Sequence, residues 1–341
     1  MNDYLASNAE IAQLWNQLSD GLEVSEEINS IKYDSLLVMG MGGSGIAGDV
    51  LKLTSNSVSQ KEIYVRKTYS IPENIINSKP FCLFISYSGN TEETISGLND
   101  AISNKLDWAV ISSGGKLIEE AQKHHKGYIK IPDGLQPRNA FGYLTQAVMK
   151  IIDINEGTNF INQLEDAGNF VGDLFFVDGT DPDFRKKDPV TKAYGIAEVL
   201  KKKTTIIYGG TPMTQLVASR WKTQINENSK SRAFIGDMPE VHHNEILSWN
   251  ADPKGSKNYV LIFLRDQNEH PQITKRFDYT EKVLNDKVKC LNIFSKEKET
   301  MKSMMELILL GDLVSVCLAE YLKIDPLNID TIEEIKKLLR E

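Results

Sequence analysis

The sequence predicts an α/β protein with two lobes, each a parallel sheet that helices cover on both faces. Short apolar runs alternate with helix-length segments, which is the pattern of parallel sheets. A strand, a glycine turn and a helix follow one another at residues 36–52. The same arrangement returns at residues 204–222. A duplicated unit in a chain of 341 residues favours two lobes of one design.

The first half of the chain reads as a leading helix followed by strands that alternate with helices. Apolar residues recur at helical spacing within residues 8–30. Each of the next apolar runs is bounded by turn residues, and most are followed by an amphipathic segment. The predicted strands are 35–39, 62–65, 81–86, 108–112 and 128–131.

The second half repeats this order after a connection rich in Asp, Gly and Pro at residues 176–190. We expect one domain at 1–155 and a second at 156–341, the latter including linker helices and the C-terminal helix. The predicted elements are helices at 141–175, 189–201, 301–322 and 329–340, and strands at 204–208, 259–264 and 288–294.

Composition excludes several classes of function. The net charge of −8 and the pI of about 5.4 disfavour nucleic acid, which rewards a basic surface. The three cysteines are scattered in apolar contexts, so we expect buried thiols and no metal site. The N-terminus lacks a signal-peptide pattern, and no apolar stretch is long enough for a membrane span. A cytoplasmic protein is expected.

Residues 38–50, VMGMGGSGIAGDV, match a dinucleotide-binding fingerprint at Gly40, Gly42 and Gly45. That fold also needs an acidic residue about 20 positions later, at the tip of the second strand. Here the tip offers Arg66 and Lys67. This disfavours NAD, whereas NADP stays open because Arg66 could meet a ribose phosphate.

A second turn, SYSGNT at residues 86–91, follows another apolar strand and opens a helix. Its three hydroxyls would lie at a helix N-terminus, where amides and the dipole attract anions. Asn90 with Glu93 predicts a capping box. Both turns end parallel strands, so we expect them to form one nest for the phosphate of a sugar.

Five motifs resemble a known family. GMGGSGIAGD and SYSGNTEET resemble the sugar isomerase (SIS) domain, and QPRNAFGY, RWKTQINENSK and PEVHHNEI narrow the resemblance. Together they are similar to the bifunctional phosphoglucose/phosphomannose isomerases of archaea and some bacteria. The resemblance implies two SIS lobes of doubly wound, flavodoxin-like design. It also implies a homodimer, with an active site between the lobes at the dimer interface.

The resemblance assigns roles position by position. Arg138 would stabilise negative charge near C1 and C2, and Glu227 would carry the proton between these carbons. His243, supplied by the neighbouring subunit, would help to open the sugar ring. Lys336, with Lys337 as the alternative, would serve the ring oxygen. The phosphate-binding residues would be Gly42, Gly43, Ser44, Ser86, Ser88 and Thr91.

The chain departs from the family pattern at two places. The family usually has Asn before the histidine of its PExNHNE motif, whereas this chain has His242. The threonine with which the family tolerates mannose 6-phosphate has only Thr331 as its candidate here.

The expected function is an aldose–ketose isomerase that converts glucose 6-phosphate, and mannose 6-phosphate, to and from fructose 6-phosphate through an enediol. This chemistry needs a carboxylate base, a group that stabilises the oxyanion and a ring-opening pair, with no cofactor and no metal. Two alternatives are a non-catalytic regulator that binds phosphosugars and an NADP-dependent dehydrogenase.

Overall fold

The computed structural model describes residues 4–55, 61–174 and 188–339, so most of the predicted connection at 176–190 lies outside them. The chain divides into two compact units. The N-terminal lobe is Gln13–Gly172; the C-terminal lobe combines Met1–Ala12 with Asp173–Glu341. Helix α1 (Tyr4–Ala12) therefore groups with the C-terminal lobe, and the expected boundary after residue 155 falls inside the N-terminal one.

The N-terminal lobe is a six-stranded sheet with helices on its faces. Its strands are β1 (Glu23–Val24), β2 (Ser35–Gly40), β3 (Glu62–Arg66), β4 (Phe81–Ile85), β5 (Trp108–Ser112) and β6 (Gly127–Lys130). Its helices are α2 (Leu14–Gln17), α3 (Gly42–Ser55), α4 (Glu73–Asn77), α5 (Glu92–Ser103), α6 (Gly115–Lys123), α7 (Phe141–Glu156) and α8 (Phe160–Asp173, which ends one residue beyond the lobe), with 3-10 helices at Glu26–Ser30 and Pro137–Ala140.

The sheet order is β1-β6-β5-β4-β2-β3, and all pairs are parallel except β1 with β6. Every residue of β2, β4 and β5 is buried, as continuous apolar runs predict for strands covered on both faces. Without β1, the order of the parallel strands is the doubly wound, flavodoxin-like one. The predicted fold class is confirmed.

The leading helix predicted over residues 8–30 is confirmed only as far as Gln17, and its continuation to residue 30 is wrong. After α1 and the short α2, the chain forms β1, whose Val24 pairs with Ile129 of β6. Asp20 is held where the helix would have continued, because its carbonyl accepts from Gln146 Nε2 and its carboxylate accepts from the Tyr143 hydroxyl. These partners lie more than 120 residues away in sequence, so the local apolar spacing could not predict the break.

The C-terminal lobe repeats the design with four parallel strands in the order β10-β9-β7-β8. Its strands are β7 (Thr204–Gly209), β8 (Ala233–Asp237), β9 (Tyr259–Arg265) and β10 (Lys289–Phe294). Its further helices are α9 (Asp188–Leu200), α10 (Pro212–Ser229), α11 (Ser248–Ala251), α12 (Pro253–Ser256), α13 (Pro271–Leu284), α14 (Thr300–Leu322) and α15 (Asp330–Leu338), with 3-10 helices at Glu240–His243 and Glu245–Leu247.

Strand β8 is absent from the sequence-based prediction. It is the edge strand of its sheet, and Phe234 and Ile235 on it are exposed. An edge strand of this kind lacks the continuous apolar run that identifies central strands. Its pairing with β7, from Thr205 with Ala233 to Gly209 with Asp237, is a tertiary feature.

Helix α14 packs closely on α10. A Cβ on Gly311 would lie 2.1 Å from Trp221 Nε1, so only glycine lets the indole reach the helix. That Nε1 donates to the Leu307 carbonyl at 2.7 Å. Although α14 is long and apolar, among the residues that the structure describes no helix is long and apolar enough to cross a membrane.

Candidate active site

A tight glycine turn joins β2 to α3 at the carboxyl edge of the sheet. Gly42 has a φ of +53°, which side chains rarely adopt. A Cβ on Gly40 would lie 2.9 Å from the Ile85 carbonyl oxygen, and one on Gly45 would lie 2.6 Å from the Gly40 carbonyl oxygen. The three glycines of the fingerprint therefore serve backbone geometry, which does not by itself require a dinucleotide.

The first turn of α3 presents amide groups at this edge. Helices leave their first amides without an acceptor inside the helix, and the dipole makes that end positive. In α3 these residues are Gly42, Gly43 and Ser44. Ser44 is only 7% exposed, and it adds a hydroxyl to the amides. The turn can therefore hold a small anion through main-chain amides and one hydroxyl.

The second turn leads from β4 to α5 and brings its hydroxyls together. Ser86 Oγ lies 2.8 Å from Thr91 Oγ1, and Ser86 is buried. Ser88 is exposed, and its Oγ accepts from the Asn90 amide at 3.3 Å. Gly89 has a φ of +69°, and a Cβ there would lie 1.8 Å from the Gly114 carbonyl oxygen. The turn is thus locked by a close approach of the next loop.

The predicted capping box of Asn90 with Glu93 is wrong. Thr91 is the residue before α5, and its side chain makes no capping hydrogen bond. The Asn90 side chain instead donates to the Ser88 carbonyl at 3.0 Å and accepts from the Lys116 amide at 3.1 Å. The Asn90 side chain therefore links the second turn to the start of α6. The two loops are already close together at Gly89.

Both turns lie at the topological switch point of the sheet. β2 is the strand from which the chain goes first to β3 on one side and then to β4 on the other. Gly40 pairs with Ile85, so β2 and β4 end side by side. Doubly wound sheets bind ligands in the crevice outside such strand ends. The structure therefore brings together the six predicted phosphate-binding residues as one anion-binding candidate.

Arg138 lies beside the glycine turn, as part of the 3-10 helix that precedes α7. A Cβ on Gly43 would lie 3.6 Å from the Pro137 carbonyl oxygen and 3.8 Å from Arg138 Cα. Arg138 is 6% exposed, and its guanidinium donates to Gln136 Oε1 at 3.5 Å. The backbone of a nearly buried arginine therefore lies against the glycine turn, which makes Arg138 a candidate source of positive charge for this site.

The tip of β3 differs from that of a NAD-binding lobe. It carries Arg66 and Lys67, and the Lys67 ammonium pairs with Asp49 of α3. The Lys67 side chain also lies across α3, since a Cβ on Gly45 would be 2.9 Å from Lys67 Cε. A lysine side chain therefore lies beside the third fingerprint glycine, and the strand tip has no carboxylate for a ribose.

The C-terminal lobe has an equivalent switch point at the ends of β7 and β9, and a carboxylate of the chain occupies it. Thr211 caps α10, where its hydroxyl accepts from the Thr214 amide and donates to Asp266 Oδ2 at 2.7 Å. Asp266 is 2% exposed, and its Oδ1 accepts from the Asn268 amide at 2.6 Å. A built-in negative charge there disfavours a second phosphate site.

Glu227 lies near the end of α10, on an open pocket of about 410 Å³. Two cations, Lys222 and Arg232, line the pocket with it, and Phe234 of β8 supplies an exposed aromatic wall. Glu227 is half-buried, so its side chain borders a pocket that is open to a ligand and carries positive charge on its wall.

The end of α10 is held by polar contacts on both sides of Glu227. Asn228 Nδ2 donates to Ser315 Oγ of α14 at 2.8 Å, and both residues are buried. Lys230 adopts a left-handed conformation with a φ of +53°, and its ammonium donates to the carbonyls of Glu227 and Pro326. Glu227 is therefore presented from a fixed backbone.

The two adjacent histidines have different surroundings. His243 is exposed at the end of the 3-10 helix Glu240–His243. His242 packs on α13, with Nε2 2.6 Å from Thr280 Oγ1 and Nδ1 3.0 Å from an Arg276 nitrogen. Burial, with the charges of Arg276 and His243, lowers the pKa of His242. The sequence alone could not distinguish these two imidazoles.

Glu227 and His243 lie on opposite faces of the C-terminal sheet. From β7 the chain moves one way to β8 through α10, and it returns the other way to β9. Right-handed crossovers that run in opposite directions lie on opposite faces. Val241 accordingly packs in one cluster with Tyr208 and with Phe277 of α13. The structure does not bring Glu227 and His243 of one chain together.

Lys336 and Lys337 occupy the last turn of α15, and Thr331 lies near its start. All residues of this helix are described, and none of them is buried. The segment before α15 is tied to the end of α10 through the Lys230 contact with Pro326. The contacts of α15 therefore do not choose between the two lysines, and they give Thr331 no assigned role.

Comparison with known proteins identifies relatives of this chain. The model of a family described as bacterial phospho-glucose isomerase C-terminal SIS domain matches residues 190–339. Bifunctional phosphoglucose/phosphomannose isomerase of Aquifex aeolicus is 34% identical over 91% of this chain and 91% of its own length. D-glucosamine-6-phosphate 4-epimerase of Sulfolobus acidocaldarius is 30% identical over 92% of each chain.

The fold is also found among solved structures. Tagatose-6-phosphate ketose/aldose isomerase from Escherichia coli superimposes with a TM-score of 0.66, at 12% sequence identity. The match covers 94% of each chain. At this identity the likeness supports the two-lobed SIS fold alone.

Proposed function

The chain belongs to the family of bifunctional phosphoglucose/phosphomannose isomerases, and we propose that it interconverts glucose 6-phosphate and mannose 6-phosphate with fructose 6-phosphate. As a member of this family it is a sugar-phosphate isomerase. The observation that carries the choice of substrate is the pair of hydroxyl-bearing turns at the switch point of the N-terminal lobe. Together the two turns suit the phosphate group of a sugar, whose three free oxygens accept hydrogen bonds.

The phosphate would bind to the amides of Gly42, Gly43 and Ser44 and to the hydroxyls of the second turn. Ser86, Ser88 and Thr91 supply donors that can rotate toward the anion. Binding energy from this unreactive end of the sugar would hold C1 and C2 in place for the proton transfer.

Glu227 would act as the base. Its carboxylate removes the proton from C2 of an aldose phosphate and returns it to C1 of the enediol, which gives the ketose. Arg138 would stabilise the oxygen that becomes negative during this step, as a preformed cation next to the phosphate turn. Rotation of the enediol about C2–C3 would present either face to the same base, which accounts for glucose and mannose epimers.

His243 would open the sugar ring in a site that it shares with Glu227 of another copy. The two residues lie on opposite faces of one sheet, so a single chain does not supply both to one sugar. This geometry favours a homodimer in which each site takes His243 from the partner. Lys336, on the exposed α15, would assist at the ring oxygen.

The proposal is tested by a coupled assay for fructose 6-phosphate, started from glucose 6-phosphate and from mannose 6-phosphate without added metal. We expect turnover with both aldoses. Glucosamine 6-phosphate is included in a separate reaction because one relative is named a 4-epimerase. If glucosamine 6-phosphate is epimerised at C4 and neither aldose phosphate gives fructose 6-phosphate, the proposal is wrong and the chain is an epimerase.

Two further readouts separate the alternatives. A dehydrogenase would change absorbance at 340 nm with NADP and sugar phosphate alone, and we expect no change without the coupling enzyme. A regulator would bind the phosphosugars without turnover. We further propose that the enzyme works in the cytoplasm, where the three buried thiols would stay reduced.

A further inference from the structure

His242 lies in a hydrogen-bond circuit that fixes its tautomer. Arginine carries only N–H donors, so the 3.0 Å contact from Arg276 makes Nδ1 of His242 an acceptor without a proton. The ring proton is therefore on Nε2, which donates to Thr280 Oγ1 at 2.6 Å. The Thr280 hydroxyl in turn donates to the Arg276 carbonyl at 2.7 Å. Each of these donors has an acceptor.

The circuit leaves His242 unsuited to proton transfer with a substrate. Both ring nitrogens are engaged by α13, and a second ring proton would have to point at the Arg276 guanidinium. Burial and this cation lower the pKa of His242, so the ring stays neutral. Of the two adjacent imidazoles, the exposed His243 is the one that can reach a sugar.

The backbone couples the two rings. A 3-10 helix has three residues per turn, so neighbouring side chains point about 120° apart. Thr280 is 2% exposed, and it anchors His242 on the inner side of the short helix. With His242 fixed inward, the direction of His243 is fixed outward.

We propose that His242 is a positioning residue, which holds the 3-10 helix Glu240–His243 against α13 so that His243 is presented to the sugar ring. This inference rests on the proposed function, because it assigns the ring-opening step to His243. It also accounts for the departure from the expected asparagine at this position. An asparagine could accept from Arg276, but its side chain is too short to reach Thr280 as well.

Steady-state kinetics with glucose 6-phosphate tests the assignment. We expect His243→Asn to abolish most of kcat. His242→Ala should lower kcat by about 10- to 100-fold, since small misplacements of a catalytic group cost about that much. KM should change less than about 3-fold, since the two turns proposed to bind the phosphate lie in the N-terminal lobe. Thr280→Val should act in the same direction, and His242→Asn should lie between wild type and His242→Ala.

The hydrogen bond between His242 and Thr280 allows a second kinetic test. In the double variant His242→Ala with Thr280→Val, kcat should be no lower than in His242→Ala alone, because both changes break one connection. His270→Asn is the matched control. His270 caps α13 through its Nδ1, which accepts from the Gln272 amide, and asparagine keeps that acceptor. The control should keep wild-type kcat.

A nitrogen NMR measurement on the wild-type protein reads the tautomer without any folding risk. The signals of His242, assigned by their loss in His242→Asn, should show an unprotonated Nδ1 and a protonated Nε2 through neutral pH. Ordinary titration of His242 near neutral pH would overturn the inference. So would wild-type kcat in both Thr280→Val and His242→Asn. If the wild type itself does not isomerise sugar phosphates, the proposed function fails, whereas the NMR result still stands.

Discussion

Arg220 and Asp312 form a fully buried ion pair that joins the helix carrying Glu227 to the longest helix of its lobe. Arg220 Nε donates to Oδ1 at 3.0 Å, and its terminal nitrogen donates to Oδ2 at 2.6 Å. The two residues are 2% and 4% exposed. With the Asn228 contact to Ser315 two turns further along α10, this pair fixes how α10 packs along α14.

Arg220→Met should lower the free energy of unfolding by about 3–5 kcal/mol at neutral pH, because it leaves a buried carboxylate without its cation. Burial raises the pKa of Asp312, and Arg220 opposes that rise. A carboxyl with a folded pKa above its ordinary value stabilises the fold at low pH and loses this contribution as the pH rises. The loss of unfolding free energy in Arg220→Met should therefore grow as the pH rises above the ordinary carboxyl pKa of 3.8.

Urea unfolding of Arg220→Met and wild type at about pH 5 and about pH 8 measures that trend. The double variant Arg220→Met with Asp312→Leu serves as control, and it should recover much of the loss since no charge stays buried. A single variant as stable as the wild type at both pH values would contradict the assigned role.

Ser88→Ala should weaken binding of the sugar phosphate by about 10-fold or more, which is the worth of one hydrogen bond to a charged group. Ser88 is exposed at the tip of the second turn, so its removal leaves the core packing unchanged. We expect KM for glucose 6-phosphate to rise, with a parallel rise in the inhibition constant of inorganic phosphate.

Ser78→Ala is the control for this prediction. Ser78 lies in the same lobe, but its hydroxyl donates to the Ile75 carbonyl at the end of α4. Its removal should leave KM unchanged. An equal KM for Ser88→Ala and wild type would place the phosphate elsewhere.

Glu227→Gln should reduce isomerisation by orders of magnitude while sugar-phosphate binding persists, since the amide keeps the shape of the side chain but cannot accept the C2 proton. The measurement pairs kcat with the dissociation constant of fructose 6-phosphate, determined by calorimetry.

An exposed carboxylate of the same lobe, Glu198 on α9, offers the matched change. Glu198→Gln should isomerise at the wild-type rate. Turnover near the wild-type level in Glu227→Gln would mean that another residue is the base.

Two inactive variants should restore activity when they are mixed, if each site combines Glu227 of one chain with His243 of another. Glu227→Gln and His243→Asn, unfolded and refolded together in equal amounts, form mixed dimers with one intact site each. Random pairing predicts about one quarter of the wild-type specific activity.

Each variant refolded alone provides the baseline, and both should stay inactive. Activity no greater than the sum of these baselines, in a mixture shown to contain mixed dimers, would indicate that each site draws on a single chain.

The glycine turn between β2 and α3 could be predicted from the sequence because much of its geometry is local. Gly42 is required by its backbone angle, and Gly45 by a contact with the Gly40 carbonyl, both within the strand-to-helix turn itself. Central strands such as β4 could be predicted for a similar reason, because an apolar run of that length between turns has few other places to be buried.

Features that depend on distant partners could not be predicted. Asn90 forms no capping box because its side chain bonds to Lys116 on the next helix. The carboxylate of Asp266 fills the second switch point through Thr211, which lies 55 residues earlier. His242 differs from His243 only through Arg276 and Thr280, whose positions on α13 no local pattern reveals.

The sequence by itself determined the two α/β lobes, the family and the residues that it offers for phosphate and proton transfer. The lobes follow from apolar periodicity and from local turns, whereas the family and the roles offered to these residues follow from the resemblance of five motifs. Only the tertiary structure decided which imidazole stays neutral, which switch point is occupied by the chain itself, and that Glu227 and His243 lie on opposite faces of a sheet. Packing joins residues that are distant in the chain, and burial then sets their charge and direction.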